Sequence, residues 1–208
     1  MIAIVDYGAG NLTSVVKAFE TLGAAPQVVR EAAHIRGARA VVVPGVGHFD
    51  ATRALGSEWR DALADHLREG RPLLGICLGM QWLFEGSTEA PGCPGLGILP
   101  GRCARLSPED PPGGGRFKVP HVGWNAIQPI ARSSALAGIP APTWVYFTHS
   151  YAAPVGEDCV AVADHGGRFA AVVERNRVWG VQFHPEKSGE VGLAILRNFA
   201  ALAGPDRH

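Results

Sequence analysis

Long hydrophobic runs are missing from this 208-residue chain: charge, proline or glycine interrupts every apolar stretch well before the roughly 18 residues that a membrane span requires. A soluble protein is expected. Excess charge is missing too. Lys plus Arg and Asp plus Glu number 19 each, so no net field draws the chain to nucleic acid or to an anionic membrane. Cysteine is scarce: Cys77, Cys93, Cys103 and Cys159 form neither CxxC pairs nor the spacing of a disulfide framework, and the apolar run Met1 to Val5 is too short for a signal peptide. Both features predict a reducing cytoplasm. No internal repeat is visible, and the length suits one domain over residues 1–208. Proline and glycine cluster conspicuously only at Pro108 to Gly115. That stretch reads as a mobile surface loop rather than a linker, because the strand patterns on both sides are taken to belong to one sheet.

What is present in the first half is a rhythm of short β-branched runs and helical patterns. Ile2 to Val5 precedes a helix from Leu12 to Leu22; Val41 to Val43 precedes a helical stretch ending near Glu69; Leu73 to Ile76 precedes a helix from Leu78 to Phe84. Such alternation predicts βαβ units around a parallel sheet. Trp59, Leu63 and Leu67 repeat at helical spacing, and Arg71-Pro72 closes their helix. In the second half strands follow one another: Trp124 to Ile130, Thr143 to Phe147, Cys159 to Ala163, Phe169 to Glu174 and Val178 to Phe183. The turn-like links at His165 to Arg168 and Arg175 to Arg177 imply hairpins, hence an antiparallel extension on a mixed sheet. A last helix from Gly189 to Leu202 carries Val191, Ile195 and Phe199 on one face.

Chemistry concentrates at Gly75-Ile76-Cys77-Leu78-Gly79. A cysteine bracketed by glycines between a strand and a helix is the pattern of a nucleophile elbow, in which the central residue is held in a strained backbone conformation. The sulfur then stands at a strand's carboxyl end, where open α/β sheets bind ligands, and on a helix N-terminus, which favours thiolate. A thiolate needs a base that can also protonate the leaving group, and the base needs an orienting partner. Gln182-Phe183-His184-Pro185-Glu186 supplies both, with proline stiffening the link between imidazole and carboxylate. Cys77, His184 and Glu186 are therefore the expected catalytic triad. Attack on a carboxamide also requires oxyanion donors. The N–H of Leu78 is one, and the glycine turn Pro44-Gly45-Val46-Gly47 offers a second.

Together, Gly-Ile-Cys-Leu-Gly-Met-Gln and the later Gln-Phe-His-Pro-Glu resemble the motifs of the class I, or triad, glutamine amidotransferase family. Asp6 to Leu12, Pro44 to Gly47, Lys118 to Asn125, Tyr146 to Tyr151 and His184 to Ser188 extend the resemblance, in order, over nearly the whole chain. It implies a three-layer α/β fold with a mixed, mostly parallel central sheet, helices on both faces and an antiparallel extension. The implied activity is hydrolysis of glutamine to glutamate and ammonia without cofactor or metal. Matched position by position, Cys77 is implied as nucleophile, His184 as acid and base and Glu186 as its orienter, with oxyanion N–H groups from Val46 and Leu78. Gly45, Gly79, Gln81, Glu89, His149, Ser150 and Tyr151 are implied around the substrate. Asn11, Trp124 and Lys187 are implied to face a partner, a cyclase subunit folded as a (β/α)8 barrel that receives the ammonia in a heterodimer. Each of these three also has a plainer reading: Asn11 as a helix cap, Trp124 as core, Lys187 as a solvated charge.

Other readings explain less. Gly8-Ala9-Gly10 with Glu31 suggests a dinucleotide-binding turn, but Thr13 stands where the third glycine belongs. A stand-alone thiol hydrolase of γ-glutamyl peptides would share the triad yet leave Lys118 to Asn125 unexplained. A non-catalytic binding subunit should lack a triad member, and all three are present.

Overall fold

The computed structural model describes residues 1–107 and 117–204. The Pro108 to Gly115 stretch lies outside the described residues. In chain order the elements are β1 (Ile2–Val5), α1 (Leu12–Thr21), β2 (Pro26–Val29), β3 (Ala40–Gly45), α2 (Ser57–Arg68), β4 (Leu73–Cys77), α3 (Leu78–Leu83), β5 (Gly86–Ser87), β6 (Arg102–Arg105), β7 (His121–Pro129), β8 (Thr143–His149), β9 (Tyr151–Ala152), β10 (Cys159–Asp164), β11 (Arg168–Arg175), β12 (Val178–Val181) and α4 (Gly189–Leu202). A nine-stranded sheet runs β2-β1-β3-β4-β12-β11-β10-β7-β8, and β5-β6-β9 form a small second sheet.

The β-branched runs become the parallel half, β2 to β12 in sheet order, with β12 lying parallel to β4. Apart from the edge strand β2, these strands are covered on both faces, which is why they read as continuous apolar runs rather than alternating ones. Ile2 and Ile4 of β1 pack with Val15 and Phe19 of α1 and Ile195 and Phe199 of α4, whereas Ala3 and Val5 join Trp59 and Leu63 of α2 on the opposite face. Helices therefore flank the sheet on both sides. The antiparallel half comprises β12-β11-β10-β7-β8. Asn176, at φ 55°, turns the chain between β11 and β12, the left-handed conformation that asparagine tolerates best among non-glycine residues.

Several expectations need correction. The buried stripe of α2 is Trp59, Leu63 and His66, with Leu67 only packed at its margin. His66 can be buried because its Nε2–H meets the Pro72 carbonyl at 3.0 Å. β7 starts at His121 rather than Trp124, and β8 runs on to His149 rather than stopping at Phe147, because the two strands pair continuously from His121↔His149 to Ile127↔Thr143. The strands on either side of Pro108 to Gly115 are not in one sheet: β6 belongs to the small sheet and β7 to the large one. Cys103 of β6 nonetheless shares a buried cluster with Val162 of β10 and Ala170 of β11. Among the described residues no helix is long and apolar enough to cross a membrane.

Candidate active site

β4 ends in an abrupt turn into α3. Cys77 sits at the junction with φ 52° and ψ −107°, a conformation costing a non-glycine residue about 1–3 kcal/mol. The glycines beside it are steric requirements. A Cβ on Gly75 would lie 2.7 Å from the Gly79 carbonyl and the Met80 nitrogen, and one on Gly79 would run into the carbonyl oxygen of Val43 on β3. The helix thus crosses directly over its own strand and the neighbouring one, with the thiol held at the sheet's carboxyl edge. α3 is only six residues long, so the packing of the turn positions the sulfur more than a long helix dipole does.

The parallel register of β12 against β4 brings His184 to Cys77. Val181 pairs with Ile76, so the segment after β12 and the elbow after β4 emerge side by side. His184 is fixed there by two bonds to its own backbone and a third that ties its two partners together. Its N–H donates to the Tyr146 carbonyl at 2.9 Å, the Ser188 hydroxyl donates to its carbonyl at 2.6 Å, and that hydroxyl accepts the Tyr146 N–H at 3.0 Å. Pro185 starts a short turn that swings Glu186 back, and the His184 Nδ1–H donates to Glu186 Oε1 at 2.8 Å, both side chains being 2% exposed. Because the carboxylate can only accept, Nδ1 carries the proton of this bond and Nε2 is the nitrogen left for another partner. Nε2 is buried with no ordinary hydrogen-bond partner among the described residues. Burial opposes charge on this ring, but Cys77 and Glu186 outweigh it and push His184 up to about 10. A protonated imidazole beside the sulfur results.

A cavity of about 210 Å³ opens over the thiol, lined by Gly47, Cys77, Leu78, Gln81, Glu89, Pro120, Thr148, His149, Ser150 and Tyr151. Of the residues expected around a substrate, Gln81, Glu89, His149, Ser150 and Tyr151 are brought together here. Gly45 and Gly79 are not in the lining: Gly79 packs under Val43, and Gly45 packs against the Tyr7 hydroxyl and Leu78. Gly45 pairs in register with Cys77, which sets Val46 just beyond the elbow. The Glu89 carboxylate accepts the Phe49 N–H at 2.8 Å, fixing it to the chain after the glycine turn. Gln81 Nε2 donates to the Tyr151 carbonyl at 2.8 Å and to Gln182 Oε1 at 3.1 Å.

His149 is constrained on both nitrogens. Nδ1 lies 2.9 Å from the Tyr151 carbonyl and must donate to it, so Nε2 accepts from His121 Nδ1 at 3.0 Å. Burial, with His165 and His184 nearby, holds His149 down to about 4; burial, with His149 and His165 nearby, holds His121 down to about 3. Both rings are neutral at neutral pH. His121 and Gln182 were not foreseen as site residues, although each lies inside a motif. For Gln182 a signal existed, since residues two apart in extended chain share a face and 184 had been singled out.

Trp124 is not core: it is 54% exposed on β7, its ring meeting Tyr146 edge-on at 6.2 Å between centroids. The Lys187 ammonium lies 5.9 Å from the same tyrosine ring. Two of the three expected partner residues, Trp124 and Lys187, therefore share one outer patch beside His184. Asn11 does cap α1, its Oδ1 accepting the Ser14 N–H at 3.5 Å, and it is exposed.

Comparison with known proteins accords with this geometry. The class-I glutamine amidotransferase family model matches residues 3–202. The imidazole glycerol phosphate synthase subunit HisH of Xanthomonas axonopodis pv. citri is 46% identical over 206 residues, covering 98% of each chain. The subunit of the same name from Methanothermobacter thermautotrophicus is 43% identical over 203 residues, covering 97% of this chain and 98% of its own. Among solved structures, a glutamine amidotransferase superposes with a TM-score of 0.74 at 21% identity, covering 99% of this chain and 100% of the other. The PurLQS structure from Thermotoga maritima contains a chain that superposes with a TM-score of 0.71 at 17% identity, covering 96% and 97%. At such identities the structural likeness speaks to fold alone.

Proposed function

Because the chain belongs to the class I glutamine amidotransferase family, we propose that it is the glutaminase subunit of an imidazole glycerol phosphate synthase in histidine biosynthesis. The observation that carries this reading is identity of 43–46% over nearly the full length to proteins named imidazole glycerol phosphate synthase subunit HisH. The Cys77–His184–Glu186 arrangement is the chemistry such a subunit requires.

In this mechanism the Cys77 thiolate attacks the glutamine carboxamide, forming a C–S bond and a tetrahedral oxyanion. The N–H groups of Leu78 and Val46 hold the oxyanion. His184 Nε2–H protonates the departing nitrogen as the C–N bond breaks, leaving a glutamyl thioester, ammonia and a neutral imidazole. The same Nε2 then takes a proton from water as it attacks the thioester, releasing glutamate and restoring thiolate and imidazolium. Glu186 keeps the ring in the required tautomer throughout. Gln81 Oε1 and the free oxygen of Glu89 receive the substrate's ammonium, while backbone N–H groups at Ser150 and Tyr151 face its carboxylate.

The partner in this reading is the cyclase subunit, a (β/α)8 barrel, forming a cytoplasmic heterodimer with this single domain. Val122, Trp124 and Trp144, 57%, 54% and 58% exposed on adjacent strands, with Lys187 beside them, supply an apolar face with a cationic rim for it. Ammonia passes through the barrel lumen to the cyclisation step, which yields imidazole glycerol phosphate and aminoimidazole carboxamide ribotide. The test is Cys77→Ala in the assembled synthase: glutamine-dependent cyclisation is abolished and cyclisation fed by ammonium salts is retained. Loss of both activities would make the cysteine structural and sink the reading.

A further inference from the structure

Gln182 is fully buried immediately beyond β12, two residues before His184, and nothing in the mechanism above uses it. Its orientation follows from its neighbours. The Tyr151 carbonyl can only accept, so the Gln81 amide must present Nε2 to it at 2.8 Å. The second N–H of that nitrogen reaches the Gln182 amide at 3.1 Å, which must therefore present Oε1. Gln182 Nε2 is left facing the nucleophile, 3.6 Å from Cys77 Sγ. Flipping either amide would set two acceptors, or two donors, against each other. The strand backbone adds a further anchor, since the Gln182 N–H donates to the Ala171 carbonyl at 2.9 Å.

We infer that Gln182 is a further catalytic residue: its carboxamide N–H donates to the sulfur of Cys77, stabilising the thiolate and aiming it into the substrate cavity. A neutral donor suits this place. It favours the anion without competing with His184 for the proton, and it is fully buried and outside the cavity lining, so it does not obstruct attack. Gln81 acts as its positioning residue. Among the described residues only the Nε2 of Gln81 is engaged, and Gln81 lines the cavity, so one side chain both meets the substrate and fixes the donor behind the nucleophile. Hydrogen bonds linked in series strengthen one another, so an ammonium received at Gln81 also firms the bond to sulfur.

This inference rests on the reading of Cys77 as the nucleophile, and the experiment separates the two. Alkylation of Cys77 by iodoacetamide, mapped to its peptide by mass spectrometry, is followed against pH in the free chain. Gln182→Met removes the donor. Its alkylation midpoint is expected about one pH unit higher than in the wild type, with alkylation about tenfold slower below the midpoint, the size of one hydrogen bond to a charged group. In the assembled synthase its glutaminase kcat should fall by a similar factor while KM changes less. Gln182→Glu keeps the acceptor for Gln81 but sets a carboxylate against the thiolate, and a larger displacement in the same direction is expected. If Gln182→Met does not fold, Gln182→Glu decides alone. Wild-type midpoint and kcat in a folded variant, with Cys77→Ala inactive, would overturn this inference and leave the proposed function standing. Glutaminase activity surviving in Cys77→Ala would overturn the function itself.

Discussion

His149 should make this protein acid-sensitive in a way that can be measured and assigned. Burial, with His165 and His184 nearby, lowers its pKa from 6.5 to about 4, so the native state keeps the ring neutral where the unfolded chain would protonate it. Between those two values the unfolded state binds more protons, and stability therefore falls as pH falls. At 1.36 kcal/mol per pH unit the full span from 6.5 to about 4 is worth about 3 kcal/mol, of which about 2 kcal/mol has been lost by pH 5. Urea denaturation of the wild type and His149→Gln at pH 7 and pH 5 measures the effect together with any change at its partner His121, the more distant titrating groups being common to both. Gln can donate toward the Tyr151 carbonyl but cannot titrate. The variant is expected to be less stable than wild type at pH 7, where a buried bonded ring has been replaced, and to lose about 2 kcal/mol less on going to pH 5. Equal losses in the two proteins would mean that His149 is not held neutral, and the donor assignment running from His121 through His149 to Tyr151 would fall with it.

Gly79→Ala should remove activity and destabilise the fold by about 1–3 kcal/mol, as its Cβ meets the Val43 carbonyl; a chain with wild-type melting and turnover would refute the close crossing of α3 over β3. Glu186→Gln should lower kcat by about 10²–10⁴-fold with little change in KM, because the amide can hold the ring in the wrong tautomer but cannot support its charge; steady-state kinetics in the assembled synthase check this. Trp124→Ala should leave the melting temperature of the free chain nearly unchanged, given its exposure, and weaken binding to the barrel subunit by about 2 kcal/mol in calorimetry. An unaltered affinity would place the partner on another face.

The elbow was legible because its physics is local. Two glycines and a cysteine between an apolar strand and a helix leave few ways to turn, and the positive φ at Cys77 is the outcome. His184 and Glu186 were legible for the same reason, their separation being set by one proline. What joins the two halves is the parallel pairing of β12 with β4, a long-range register that no short pattern encodes. The same holds for His121, which becomes His149's partner only through the β7–β8 register. β7 also inverts the usual rule: His121 and Asn125 turn inward while Val122 and Trp124 turn out, so its start could not be read from apolar alternation. That inversion is explained if the outer face is covered by another protein. β2 was missed because it begins with proline and buries only Val29 well, and β5, β6 and β9 because two to four residues carry too little pattern.

The most direct test of the account is to catch the covalent intermediate. The assembled synthase is mixed with isotopically labelled glutamine, quenched in acid during turnover, digested and examined by mass spectrometry. The account predicts a labelled glutamyl group on the peptide carrying Cys77, absent in Cys77→Ala. Labelled glutamate released steadily with the glutamyl group on another residue, or with Cys77 never modified, would contradict it.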